Sequence, residues 1–284
     1  MNEKRLNNHP LILLWLAIYP ALLYYAILYI ASTLCLYIVV YGLKAEMTLS
    51  IQAVVLLISS IVTIPFIFQL YASDRNGGQG MMVYFHEHKP SVSKEKIINC
   101  ILASVAIILI GFSFNNIISM TPLIQMSKGY ATASENLYGG SLAVILLRSG
   151  LFVPILEELT FRGVILFRME VRLNKWWALG ISTILFALMH MNIVQMPYAL
   201  ILGVGLGLIA IRVQHVYASI VAHMAVNIFT VLRVSFGWWD NLADNSVSSW
   251  LISIGTLLIG IGVLIYFMKE RHVGDNSDTI SKSE

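Results

Sequence analysis

Three observations in this sequence predict an all-α, polytopic membrane protein with about eight transmembrane helices. Of its 284 residues, 58% are hydrophobic and only 12% charged, where a soluble domain carries roughly 25% charged residues. The apolar residues gather in runs long enough to cross a bilayer, which takes about 20 residues at 1.5 Å per residue. Lys and Arg crowd alternate loops between those runs, as the positive-inside rule requires.

The first apolar run extends from Leu11 to about Tyr41, far longer than the roughly 7 to 15 residue core of a cleavable leader. No small-x-small cleavage pattern follows it, so it is expected to be retained as a tilted spanning helix. Seven further segments, cut at polar or Pro/Gly-containing stretches, fall at about 48–72, 97–120, 139–167, 176–190, 193–211, 216–234 and 250–268. The fifth and sixth spans read as a hairpin with a tight turn near Asn192. Residues 1–272 form a single helical domain with a motif-bearing core at 139–234, and the polar stretch 273–284 reads as a disordered tail.

Basic residues sort by loop. Lys4 and Arg5, then Arg75, Lys89, Lys94 and Lys96, then Arg168, Arg172 and Lys175, then Arg212, then Lys269 and Arg271 occupy one side, against Lys44 and Lys128 on the other. Both termini are therefore expected on the cytoplasmic side of a cell membrane, with the loop of residues 235–249 facing outward. Trp176 and Trp177 at one boundary, and Trp238, Trp239 and Trp250 at the other, suit aromatic belts. The net charge of +3 comes from these anchors and suits an anionic inner leaflet, and no basic patch interleaved with aromatics points to nucleic acid. Cys35 and Cys100 fall at opposite depths, which argues against a disulfide. The loop Ser73 to Lys96 contains Asn76-Gly77-Gly78-Gln79-Gly80 and then Met81 to Phe85, a connector at the headgroups. Its His86-Glu87-His88 tripeptide reads as solvated surface.

Charge inside an apolar run is costly unless paired or used. Between residues 148 and 227 the helices carry Arg148, Glu157, Glu158, Arg162, His190, His223 and Asn227. Glu158 and Arg162 are four apart and share a helix face, whereas Glu157 is turned by about 100° and left for chemistry. Phe186 with His190, and His223 with Asn227, are further pairs at this spacing. Helical rise puts Glu157 at ~15 Å, Asn227 at ~16 Å, His223 at ~10 Å and His190 at ~20 Å from the inner edge, a common level slightly cytoplasmic of the midplane. Pro154, three residues before Glu157, is expected to break the local hydrogen-bond ladder and open space at the carboxylate. Gly203, Gly205 and Gly207 include a Gly-x-x-x-Gly pair that permits close helix packing.

A carboxylate and an imidazole beside one water can take its proton for attack on a carbonyl. A second imidazole and an amide NH₂ can steady the oxyanion. Such a set suits a water-activating hydrolase of amides or esters. Other readings are interhelical hydrogen-bond glue, zinc held by two His and a Glu without a His-Glu-x-x-His motif, and a small proton-coupled transporter, against which the absence of an inverted repeat and of paired broken helices counts.

Glu157-Glu158-x-x-x-Arg162, Phe186-x-x-x-His190 and His223-x-x-x-Asn227, in this order on three membrane helices, resemble the three motifs of the type II CAAX prenyl protease family. This family of intramembrane glutamate proteases is also called the CAAX protease and bacteriocin-processing or self-immunity family. The resemblance covers about a quarter of the chain. It implies an eight-helix bundle and a metal-free endopeptidase without cofactor, in which Glu157 and His190 activate water, His223 and Asn227 stabilise the oxyanion, and Glu158, Arg162 and Phe186 support them. The implied partner is a membrane-associated peptide or protein, cut near the cytoplasmic side by a bacterial, multi-pass enzyme. A non-enzymatic immunity or scaffold protein of the same fold is the rival within the family.

Overall fold

A computed structural model describes residues 9–87, 92–127 and 129–269. The polar tail from Val273 and basic residues such as Lys4, Arg5, Lys89 and Arg271 lie outside them. All regular structure among the described residues is helical. Helix α1 (Pro10–Tyr37) runs on into a π turn at Ile38–Gly42, and α2 (Leu49–Arg75) returns. A short α3 (Met81–Glu87) precedes α4 (Lys94–Ser119), and the one-turn α5 (Leu123–Met126) and then α6 (Tyr130–Tyr138) lead to a helical rod, α7, at residues 142–170. Then come α8 (Lys175–Leu188), α9 (Gln195–Val213), α10 (Tyr217–Phe236), a 3₁₀ turn at Asp240–Ala243 and α11 (Val247–Lys269).

Helix starts follow short polar side chains that accept from otherwise orphaned backbone N–H groups, each worth about 1 kcal/mol. Thr48 caps α2 through Ile51 N, Ser93 caps α4 through Lys96 N, and Asn174 caps α8 through Trp176 N and Trp177 N. Asn192 accepts from Val194 N at 2.9 Å and Gln195 N at 3.3 Å, which makes the expected turn between α8 and α9.

Six of these helices are long and apolar enough to cross a membrane: Pro10–Gly42, α2, α4, α9, α10 and α11. The other two expected spans are helical but different in kind. Helix α8 has only 14 residues, and α7 alternates α-helical turns with π segments at Leu146–Phe152 and Leu159–Leu166. Pro154 cannot donate to the helical ladder, and the wide turns on either side of its short α stretch, Val153–Glu158, are where that irregularity is taken up.

Helix α7 is central. All eight residues of Leu159–Leu166 are buried, as expected of a helix wrapped on every side by others. Phe161, Ile165 and Met169 pack with Ala17 and Ala21 of α1 and Phe186 of α8, while Leu156, Leu159 and Val164 pack with Ile67 and Tyr71 of α2. A separate cluster joins α4, α9, α10 and α11 around Ile107, Leu206 and Phe267. Gly203 and Gly207 bring α9 against α8. A Cβ at Gly203 would lie 2.9 Å from Thr183 Cγ2 and 3.3 Å from the Phe186 ring.

The bundle has one basic end. Arg168 of α7 grips Asp74 of α2 with two hydrogen bonds of 3.0 Å, Arg75 donates to Gln214 O beyond α9, and the Lys96 ammonium lies 5.9 Å from the Tyr217 ring at the start of α10. Tyr84 of α3 is buried against Tyr71 there, with exposed Met82 and Phe85 on the other side of the short helix. At the opposite end Arg233 of α10, which the loop count passed over because it lies within an apolar run, is buried and donates to Asn116 Oδ1 of α4 at 2.6 Å. The Asp244 carboxylate there accepts from Ser249 Oγ at 2.6 Å and Ser246 N at 3.0 Å, which holds its carboxyl at about 2 and keeps this loop anionic. Cys35 and Cys100 are free thiols.

Gly203→Val is expected to cost about 1–3 kcal/mol through overpacking. Gly255→Val, where nothing lies within 4 Å, is expected to cost far less. Thermal unfolding of the two purified variants in one detergent checks the difference.

Candidate active site

The α7 backbone carries two adjacent carboxylates to different surroundings. Glu158 is fully buried, and its Oε1 accepts from Arg162 Nη1 at 2.7 Å. This is the intrahelical pair that the four-residue spacing predicts. Arg162, also fully buried, donates from Nη2 to Gly203 O of α9 at 3.2 Å, and its guanidinium lies 4.3 Å from the centre of the Phe186 ring of α8. One buried ion pair thus ties three helices.

Spacing did not reveal the second bond to Glu158. The same Oε1 lies 2.9 Å from Nδ1 of His223 on α10. A carboxylate paired with Arg162 only accepts, so the shared proton sits on Nδ1 of His223. That fixes the ring with Nε2 directed at Glu157, whose Oε2 lies 3.7 Å away. Glu157 retains 14% side-chain exposure, where Glu158 has none.

His190, just beyond α8, is held in a matching way. Its Nδ1 donates to Phe186 O at 2.9 Å, which leaves Nε2 as an acceptor in the neutral ring. Phe186 is the common wall, edge-on to His190 at 4.9 Å and to His223 at 5.9 Å between ring centres. Asn227, one turn after His223, donates from Nδ2 to Ser149 O of α7 at 2.8 Å and keeps a second N–H. Arg148 is buried. It donates to Ser149 Oγ and to Leu137 O and so fastens α6 to α7.

Glu157, His190, His223 and Asn227 line one cavity of about 420 Å³, together with Arg148, Ser149 and Phe186. Glu157 and His190 make no direct contact within the 4.0 Å ion-pair distance, so the nearest imidazole to Glu157 in contact is His223. Sequence reasoning passed over Ser149, which presents Asn227, and Tyr25 of α1, which donates to Met189 O at 3.0 Å beside the site. A Ser and a Tyr in apolar runs carry no signal of their own. Among the described residues no three His, Cys, Asp or Glu side chains gather as a metal-ligating group.

The cavity lies to one side of these polar groups. Glu157, at the middle of α7, and His223, about one turn inside the midpoint of α10, are its base. The rest of its lining comes from the halves of the helices away from the basic end: Leu56 and Ser60 of α2, Asn115 and Ile118 of α4, Arg148 to Val153 of α7, Tyr198 and Leu202 of α9, and Thr230 and Val231 of α10. Counting rise per residue placed the polar groups in depth. It could not show on which side of them side chains leave room.

An all-α membrane bundle that gathers a carboxylate, two imidazoles and a carboxamide around one internal cavity is the architecture of an intramembrane polar site. Residues 139–229, about a third of the chain, match the family model described as Type II CAAX prenyl endopeptidase Rce1-like, and this stretch is CAAX protease-like. The chain is also similar to the Bacillus subtilis (strain 168) protein named "Putative membrane peptidase YdiL", 25% identical over 92 residues, which are 32% of this chain and 38% of that protein. The chain therefore matches well under half the length of this bacterial relative. No solved structure matches the chain at comparable stringency.

The Glu158–Arg162 pair leads to a stability prediction. Arg162→Met leaves a buried carboxylate without its cation and is expected to cost about 3–5 kcal/mol, whereas the double variant Glu158→Gln/Arg162→Met recovers part of that loss. Chemical or thermal unfolding in detergent, run as a double-mutant cycle, checks both signs.

Proposed function

We propose that the chain is an intramembrane endopeptidase that uses a carboxylate-activated water to cut a membrane-associated peptide or protein. The observation that carries the proposal is the chain of contacts at the cavity base, in which Arg162 holds Glu158, Glu158 orients His223, and His223 faces the partly exposed Glu157. A structural glue has no use for a carboxylate left unsaturated beside a cavity, while hydrolysis does.

Glu157 and His190 are assigned to the water. Glu157 offers a carboxylate and the neutral His190 ring an Nε2 acceptor, and both line the same cavity. With substrate in place, one of them takes the water's proton as the oxygen attacks the carbonyl carbon, and the proton passes to the leaving amine. Asn227 Nδ2 and, when its ring carries a second proton, His223 Nε2 donate to the oxyanion. Glu158, Arg162 and Phe186 position these groups. The family match and the resemblance to a bacterial membrane peptidase support the reaction class.

Glu157→Gln keeps size and polarity but loses the base, and His190→Ala removes its partner; each is expected to lower cleavage by ~10²–10⁴-fold. Asn227→Ala is expected to lose ~10²–10³-fold in kcat. Peptide mapping of native membranes with wild-type and Glu157→Gln protein measures activity and substrate together. Unaltered peptide profiles, with both proteins folded and inserted, would favour the immunity or scaffold reading.

A further inference from the structure

We infer that substrate reaches Glu157 from the face opposite the basic end, through the space covered by α6. Its substrates are then peptide bonds in the outer half of the bilayer or just outside it. The substrate class rests on the peptidase reading above, while the route rests on the shape of the cavity alone.

Two observations converge. The first is the direction of the cavity. Beyond Glu157 and His223 its lining comes from the helix halves remote from Arg75, Arg168 and Arg212, with Ser60 and Thr230 among its walls. On the basic side the same level is filled. Leu159–Leu166 are all buried there, and the Arg168–Asp74 pair and the Tyr71–Tyr84 contact close the end.

The second is the cover itself. Tyr130, Ser134, Leu137 and Tyr138 of α6 all line the cavity. Their spacing of four, three and one residues puts them on one helix face, so α6 lies across the remote end with that face inward. Arg148 anchors it by donating to Leu137 O, and Gly139 and Gly140, which follow it, come against Leu49 and Ala53 at the start of α2. Sidedness follows from charge. Arg75, Lys94, Lys96, Arg168, Arg172, Lys175, Arg212 and Lys269 mark the basic end, and Lys and Arg are retained on the cytoplasmic side during insertion.

The test is the reaction of single cysteines with a membrane-impermeant charged maleimide. The full chain is used with Cys35 and Cys100 replaced by Ala, in spheroplasts and in inverted membrane vesicles. Trp176→Cys and Val247→Cys, at exposed positions of the basic and remote ends, report orientation. Ser134→Cys and Thr230→Cys report the cavity. The expected result is that Val247→Cys, Ser134→Cys and Thr230→Cys label in spheroplasts and Trp176→Cys in inverted vesicles. Labelling of the cavity cysteines from the Trp176 side, or from neither side, overturns the route, and labelling of Trp176→Cys in spheroplasts overturns the sidedness. Glu157→Gln leaves this pattern unchanged, so a failed cleavage assay and a failed route are told apart.

Discussion

A single buried carboxylate oxygen, Glu158 Oε1, organises the molecule. It accepts from Arg162 at 2.7 Å and from His223 at 2.9 Å, and each of those donors belongs to a further set of contacts. Arg162 reaches the backbone of α9 and the aromatic face of Phe186, while His223 reaches Glu157. Removing solvent from a carboxylate and a guanidinium costs several kcal/mol apiece before their attraction is counted. Glu158 Oε2 and Arg162 Nε are buried without a protein hydrogen bond, so this pair is not built for stability alone. What it supplies is position, holding one imidazole in one tautomer and aiming it at one carboxylate.

Adjacent acids in one sequence therefore do opposite work. Glu158 is held by two donors on one oxygen and fully enclosed, and Glu157 is left with an edge in the cavity. The division arises from helical rotation, which sends neighbouring side chains about 100° apart, and from the wide turns that flank Val153–Glu158 and loosen the helix around them. A regular α-helix through this stretch would pack its neighbours evenly; the irregular one sits beside a void.

Much of this was legible in the residues. The eight apolar segments recur as helical stretches with ends displaced by a few residues, because Thr48, Ser93, Asn174 and Asn192 are strong local stop and start signals. The Glu158–Arg162 pair follows from spacing within one helix. The His223–Glu158 bond does not, since it joins residues 65 apart in sequence and depends on how α10 rotates against α7. The π segments also escaped: Pro154 signals a broken ladder, but whether the chain bends or widens depends on the helices packed around it. The direction of the cavity was hidden for a related reason. Apolar sequence looks the same whether it fills a space or borders one.

The size of the void sets a condition on whatever occupies it. A helix is about 10 Å across with its side chains, so 420 Å³ holds roughly a single turn of one. On the peptidase proposal, a membrane-spanning guest would have to uncoil locally at the cavity, which exposes peptide groups that the bilayer interior leaves unsolvated. Selectivity would then depend less on side-chain identity around the scissile bond than on how cheaply a given stretch frays, favouring Gly, Pro, Ser or Asn close to a helix terminus.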